Sequence, residues 1–385
     1  MVYPGLTFLA LFLYIGMVLL DLTLYCLVYP GLTFLALFLY LGMVQKRSRS
    51  SRCSCHPDRL SSMNIVSHQL RLGYSIYNTW LGKYIHTWKL AEASNNKHTN
   101  TTQINLCENC SILPVPFLED NYSYLICCHN TGHVAAVDAG DAAAIEAAMQ
   151  QLVVPETCPR PHLTTLLTTH GHWDHDGGNQ ELLAAYPSLV IVGGKGDGVS
   201  CCNTFVNDND TVQVGHLQFR CVWTPCHTPY HMCYYLESKG KTNESKKSML
   251  FSGDTLFVGG VGRFWEGQAS DMKYSLDVLK KLPSSTHLFP GHEYAVKNLM
   301  FNSFVEPTNI DIKIKLKECQ KNREVKLQNV PSVLLEELRY NSFLRAKNIP
   351  LKVESAGEGG DHEVDCLYTM RRAKDSNKGP ALRHQ

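Results

Sequence analysis

Residues 169–175 read Thr-His-Gly-His-Trp-Asp-His, and no other stretch limits the fold as much. It sets three imidazoles (His170, His172, His175) and one carboxylate (Asp174) within six positions. All four are good ligands for a borderline divalent ion such as zinc. To meet at one point they must sit on a loop held by a rigid scaffold. The run before them, His162 to Thr169, is apolar and β-branched, which predicts a buried strand. Gly177 and Gly178 follow, then a helix-like stretch from Asn179 to Tyr186. The ligand loop therefore leaves the end of a strand.

Three further strand-end loops offer ligands of the same chemistry. Leu217 to Trp223 alternates like a strand and runs into Thr-Pro-Cys-His-Thr, which presents His227. Ser248 to Ser252 is a short apolar run ending in Gly-Asp-Thr, which presents Asp254. Thr286 to Phe289 ends in Pro-Gly-His-Glu-Tyr, which presents His292. Any one of them alone reads as a surface or capping residue. As an ordered series after strands they predict a two-metal site.

The order HxHxDH, then His, Asp and His, resembles the metallo-β-lactamase superfamily from about Ile112 to the C-terminus. Within it the chain resembles the glyoxalase II (hydroxyacylglutathione hydrolase) family. The stretches that carry this are Asn-Tyr-Ser-Tyr-Leu from Asn121 and the glycine-rich run from Gly253 to Gly267. Pro290 to Tyr294, Val305 to Pro307, Arg339 to Arg345 and Arg371 to Asp375 extend it. The resemblance implies an α/β fold, a four-layer αββα sandwich followed by a helical C-terminal domain. It implies two divalent ions, with zinc expected and iron or manganese as alternatives. His170, His172 and His227 would hold the first, Asp174, His175 and His292 the second, and Asp254 would bridge them. By the same resemblance, a hydroxide supplied by such a pair would attack a thioester carbonyl, with Asp174 handling the water's proton and Asp254 completing the catalytic pair. Arg263, Trp265, Tyr294, Arg371 and Lys374 match the family's contacts to glutathione. Three positions depart from the family. Cys226 replaces a glycine before His227 and is expected to strain the loop or bring a thiol near the metals. Trp265 replaces a tyrosine, and Val261 replaces a cysteine with only packing consequences.

The first 44 residues are of a different kind. Val2 to Val18 and Val28 to Val44 are the same 17-residue sequence apart from Ile15 and Leu41. Asp21 is the only charge before Lys46, so apolar runs of membrane-spanning length lie on either side of it. A basic, serine-rich stretch follows, with Lys46, Arg47, Arg49, Arg52 and Arg59. The positive-inside tendency places that stretch and everything after it in the cytosol. Residues 70–90, rich in Tyr, Trp and Leu, suit an interfacial helix or one packed on the domain. The expected organisation is 1–44 transmembrane, 45–106 juxtamembrane region and linker, 107–290 hydrolase domain and 291–385 helical domain.

Net charge is +1, which gives no whole-chain argument for nucleic acid. The 15 cysteines have no regular spacing, and adjacent pairs do not make a disulfide framework. Reduced thiols are expected, with Cys107 and Cys110 an incidental pair. From Ala295 onward no strand pattern persists, and Ile310 to Val325 and Val333 to Lys347 read as amphipathic helices. Two alternatives remain open: a persulfide dioxygenase of the same fold with a single iron, and a membrane-associated scaffold. The expected small-molecule partner is a glutathione thioester.

Overall fold

A computed structural model describes residues 98–237, 247–358 and 360–376, all within one compact unit, Ile65–Gln385. The repeated apolar runs, the basic stretch and the aromatic segment 70–90 lie outside the described residues. Among the described residues no helix is long and apolar enough to cross a membrane.

Two sheets form the body. The first holds β1 (Ile104–Cys107), β2 (Cys110–Phe117), β3 (Asn121–Cys128), β4 (His133–Val137), β5 (His162–Leu167), β6 (Val190–Gly194) and β7 (Thr204–Val206), in that order. Its pairings are antiparallel from β1 to β4 and parallel from β4 to β7. Parallel neighbours need crossover connections. The β4–β5 crossover carries α1 (Ala142–Met149), capped by Asp141, whose carboxylate accepts from the Ala144 amide at 3.2 Å. The β5–β6 crossover carries α2 (Trp173–Asp176) and α3 (Asn179–Ala185).

The second sheet runs β15 (Ser332–Val333), β14 (His287–Pro290), β11 (Ser248–Gly253), β10 (Met232–Glu237), β9 (Leu217–Trp223) and β8 (Thr211–Val214). Here β11 and β14 are parallel. A short hairpin, β12 (Leu256–Phe257) and β13 (Gly260–Val261), follows β11. Parallel strands end at the same edge, so the loops after β4 and β5, and those after β11 and β14, open side by side. That edge is where open α/β sheets place ligands.

Tyr124, Phe219, Phe251 and Phe289 fill the space between the sheets, with Tyr124 5.6 Å from Phe251 and 5.3 Å from Phe289. Leu125, Ile145, Leu166 and Leu182 join the first sheet to α1 and α3. Leu250 and Leu288 pack against α4 (Ala269–Leu279) and α8 (His362–Asp375) through Met272, Leu276, Leu367 and Met370. The layers are therefore helix, sheet, sheet, helix: the metallo-β-lactamase sandwich, with α5 (Ala295–Val305), α6 (Ile310–Glu324), α7 (Leu334–Tyr340) and α8 as its C-terminal helical part.

Three expectations are corrected. The C-terminal part is not strand-free, because Ser332–Val333 pairs with β14 and covers its open edge. The helix expected from Val333 to Lys347 stops at Tyr340, where Asn341 turns extended and its amide donates to Phe257 O and Gly260 O. Cys107 and Cys110 are not free thiols. The β1–β2 register sets them opposite one another across the turn, 5.7 Å apart at Cα, and they are disulfide-bonded.

Candidate metal centre

The loop after β5 turns straight into α2, so His170, His172, Asp174 and His175 project from a single tight bend. The groups His170–His172–His227, His170–His175–Asp254 and Asp174–His175–His292 each have ligand atoms within 4.8 Å of one another. Asp254 stands between the first and last of them. Its Oδ2 is 3.4 Å from His227 Nε2, and its Oδ1 is 3.4 Å from both His175 Nε2 and His292 Nε2. Asp174 Oδ2 lies 3.6 Å from His175 Nε2 and from His292 Nε2. All seven side chains expected as ligands thus meet at the common edge of the two sheets.

These residues fit a metal. The Nε2 atoms of His170 and His175 are buried and make no hydrogen bond among the described residues. Buried polar atoms rarely stay unsatisfied without an ion, water or function. The opposite ring nitrogens are held in place. His175 Nδ1 donates to Asp138 Oδ2 at 3.0 Å, His227 Nδ1 to Arg263 O at 3.0 Å and His292 Nδ1 to Asp120 Oδ1 at 3.0 Å. Each bond fixes the tautomer that leaves Nε2 as the donor atom for a metal.

Electrostatics divides the centre. Burial holds His170, His172 and His227 below the usual histidine value, and neighbouring imidazoles add to the effect at His170 and His172. Neutral imidazole is the ligating form. Burial would lower His175 too, but Asp174, Asp254 and Asp138 outweigh it and raise the group to about 9. At His292 burial is likewise outweighed, by Tyr294, Asp254 and Asp120, and the group stands well above its usual value. Burial opposes ionisation of Asp254, but the imidazoles of His292, His175 and His227 hold it well below the usual carboxylate range.

Several supporting residues escaped the sequence reading. Asp138, at the end of β4, accepts from Thr169 N at 2.7 Å and Thr169 Oγ1 at 2.9 Å as well as from His175. Asn121 Nδ2 donates to Asp174 Oδ2 at 3.1 Å. His231 is fully buried, and its Nε2 accepts the Asp254 amide at 3.2 Å. The available signal was an apolar strand ending in a carboxylate or amide beside another such strand, which becomes specific only once the strand order is known.

The expected glutathione contacts divide in two. Tyr294 stacks on His292 at 4.7 Å, beside the metal ligands. Arg263 covers the Trp265 ring at 5.1 Å and pairs with Asp375 at 3.1 Å. Arg371 also binds Asp375, at 2.7 Å, and donates to Val261 O at 3.2 Å, which ties α8 to the hairpin after Asp254. Lys374 is not on a solvated face: its ammonium donates to Asn298 Oδ1 and lies 5.7 Å from the Phe343 ring and 5.8 Å from that of Phe301. Burial depresses its basicity strongly, and Arg371 adds to that.

Of the departures, Cys226 does strain its loop. Its φ is +148°, in the region that favours glycine. Its thiol does not approach the metals but points to Gln268 O at 3.3 Å, and burial pushes it well up. Val261 is buried in the core beneath α8, a packing role.

With this geometry in hand, comparison with known proteins is specific. The Metallo-beta-lactamase superfamily model matches residues 118–201, and the Hydroxyacylglutathione hydrolase C-terminus model matches residues 293–377. The chain is 38% identical over 270 residues to the hydroxyacylglutathione hydrolase, cytoplasmic, of Arabidopsis thaliana, covering 70% of this chain and 99% of that protein. It is also 38% identical over 270 residues to a hydroxyacylglutathione hydrolase-like protein of Gallus gallus, covering 70% of this chain and 91% of that protein. Among solved structures, ETHE1 from Myxococcus xanthus aligns with a TM-score of 0.44 and 23% identity, covering 73% of this chain and 98% of that one.

Proposed function

Because the chain belongs to the glyoxalase II (hydroxyacylglutathione hydrolase) family of the metallo-β-lactamase superfamily, we infer that it is a metal-dependent hydrolase of glutathione thioesters. The observation that carries the reading is Asp254, whose two oxygens face His227 on one side and His175 and His292 on the other, at 3.4 Å each. When bound, a divalent pair polarises a carbonyl oxygen and acidifies a water enough to ionise near neutral pH. The nitrogen and oxygen donor set without thiolate suits zinc, with iron or manganese as alternatives.

The chain's own residues do the rest. His170, His172 and His227, kept neutral by burial, stand ready to ligate without first losing protons. Asp174, steadied by Asn121, offers a carboxylate to receive the water's proton. A thiolate leaves readily, so no separate acid is required at the leaving sulfur. Arg263 and Arg371 supply charge for a glutathione carboxylate, and Asp375 between them holds both guanidinium groups in place until it is displaced. Trp265 gives Arg263 a stacking surface but no phenol hydroxyl.

Measuring metal stoichiometry together with hydrolysis of a panel of glutathione thioesters tests this. Two metals with hydrolysis supports it. One iron with oxygen uptake would establish the dioxygenase alternative. The N-terminal repeats and the basic stretch support a membrane-anchored form with its catalytic domain in the cytosol. Protease shielding of the domain inside sealed vesicles would refute that topology.

A further inference from the structure

We propose that Asp197, which lies outside the ligand set, is a positioning residue that ties together the two loops carrying the first group of histidines. The argument rests on the two-metal reading above. His170 and His172 come from the end of β5 in one sheet, and His227 comes from the end of β9 in the other. Their mutual placement therefore depends on how two separate sheets are joined. Metal ligands must hold their geometry to within about 0.5 Å, which packing alone seldom fixes at a loop.

Asp197 supplies the join. Its Oδ2 accepts from the amide of Gly171, the residue between His170 and His172, at 2.9 Å. Its Oδ1 accepts from the amide of Tyr230, three residues after His227, at 3.2 Å. The backbone around it is fitted to both loops. A Cβ on Gly171 would lie 2.3 Å from Asp197 O, and one on Gly196 would lie 2.9 Å from the Tyr230 ring. One carboxylate thus satisfies a backbone donor from each ligand loop, and a neighbouring bond from Met232 N to Thr169 O at 2.9 Å closes the same seam.

Holding this carboxylate in place has an electrostatic cost. The hydrogen-bond donors to the carboxylate are the amides of Gly171 and Tyr230, the Thr228 hydroxyl lies beside it, and Glu266 is the charge that faces it. Burial outweighs the donors, Glu266 adds to it, and Asp197 is raised to about 6.

Asn in place of Asp197 keeps the shape but turns one acceptor into an N–H facing another N–H. In the full-length chain loaded with zinc, Asp197→Asn should weaken retention of the first ion about 10-fold, the lower end of what loss of a direct partner of a ligand does, because Asp197 acts through the ligand loops rather than on a ligand itself. Competition with a weak chelator should then remove one ion far more readily than the other. Metal-stripped Asp197→Asn should melt no lower than the metal-stripped parent at pH 8. Asp197→Glu keeps both acceptor oxygens on a half-buried loop, so it should retain the first ion better than Asn does. Parent-like chelator sensitivity, equal loss of both ions with a fall in melting temperature, or Glu behaving worse than Asn would each overturn the proposal. A parent chain that takes up no metal would instead overturn the two-metal reading.

Discussion

Replacing Cys226 by glycine and by alanine separates backbone strain from side-chain packing. At an ordinary buried position glycine is the worse of the two by roughly 0.5–1 kcal/mol, because its unfolded chain has more freedom to lose. Cys226 sits at φ +148°, and a residue with a Cβ in such a region carries about 1–3 kcal/mol of strain. Alanine keeps the Cβ, and therefore the strain, but loses the buried sulfur and its contact with Gln268 O. That loss is worth about 1 kcal/mol, near the value of one buried methylene. Glycine loses the same packing and a little more, but releases the strain. Cys226→Gly should therefore be more stable than Cys226→Ala by about 0.5–2 kcal/mol and fall close to the parent. For a domain of this size that separates the two melting temperatures by on the order of a few degrees. Denaturant unfolding of the metal-stripped proteins is the appropriate assay, because bound metal would add its own stabilisation. An alanine variant as stable as the glycine variant, or more so, would refute the reasoning and show that the loop accommodates a Cβ without strain.

Three further outcomes follow from the geometry. Asp254→Ala should release both ions, since its two oxygens face both groups, whereas His292→Ala should mainly weaken the second; metal content after dialysis reads the difference. Lys374 is bonded to Asn298 and packed between Phe301 and Phe343, so Lys374→Met, which keeps the bulk, should leave KM for a glutathione thioester nearly unchanged, whereas Arg263→Gln should raise it by about tenfold with kcat and metal content nearly unchanged. Asp197 has a folded value of about 6 against an ordinary 3.8, so its unfolded form ionises first as pH rises. Its contribution to the stability of the metal-stripped chain should fall between about pH 4 and pH 6 and stay low above that, and Asp197→Asn should flatten that part of the profile.

The sequence by itself determined the ligand types and the strands and helices that carry them. The compact HGHWDH run (170–175) points to convergence, and the short apolar runs before Asp254 and His292 read as strands leading into those residues. The helices at Asn179 and Ile310 were legible from the local run of helix-compatible residues. What the sequence left open depends on contacts between distant segments. Ser332–Val333 became a strand because β14 offered an unpaired edge, and the helix after it stopped where Asn341 found the carbonyls of Phe257 and Gly260. Lys374 reads by resemblance as a glutathione contact, and only the packing of α8 shows its ammonium set against Phe301 and Phe343. Asp138, Asp120 and Asp197 are single carboxylates with no local pattern, and only the juxtaposition of strand ends from two sheets turns them into partners of the ligand loops. A ligand's identity is written in residue chemistry, but its orientation is fixed by neighbours that are remote in the chain. Only the tertiary structure supplies those.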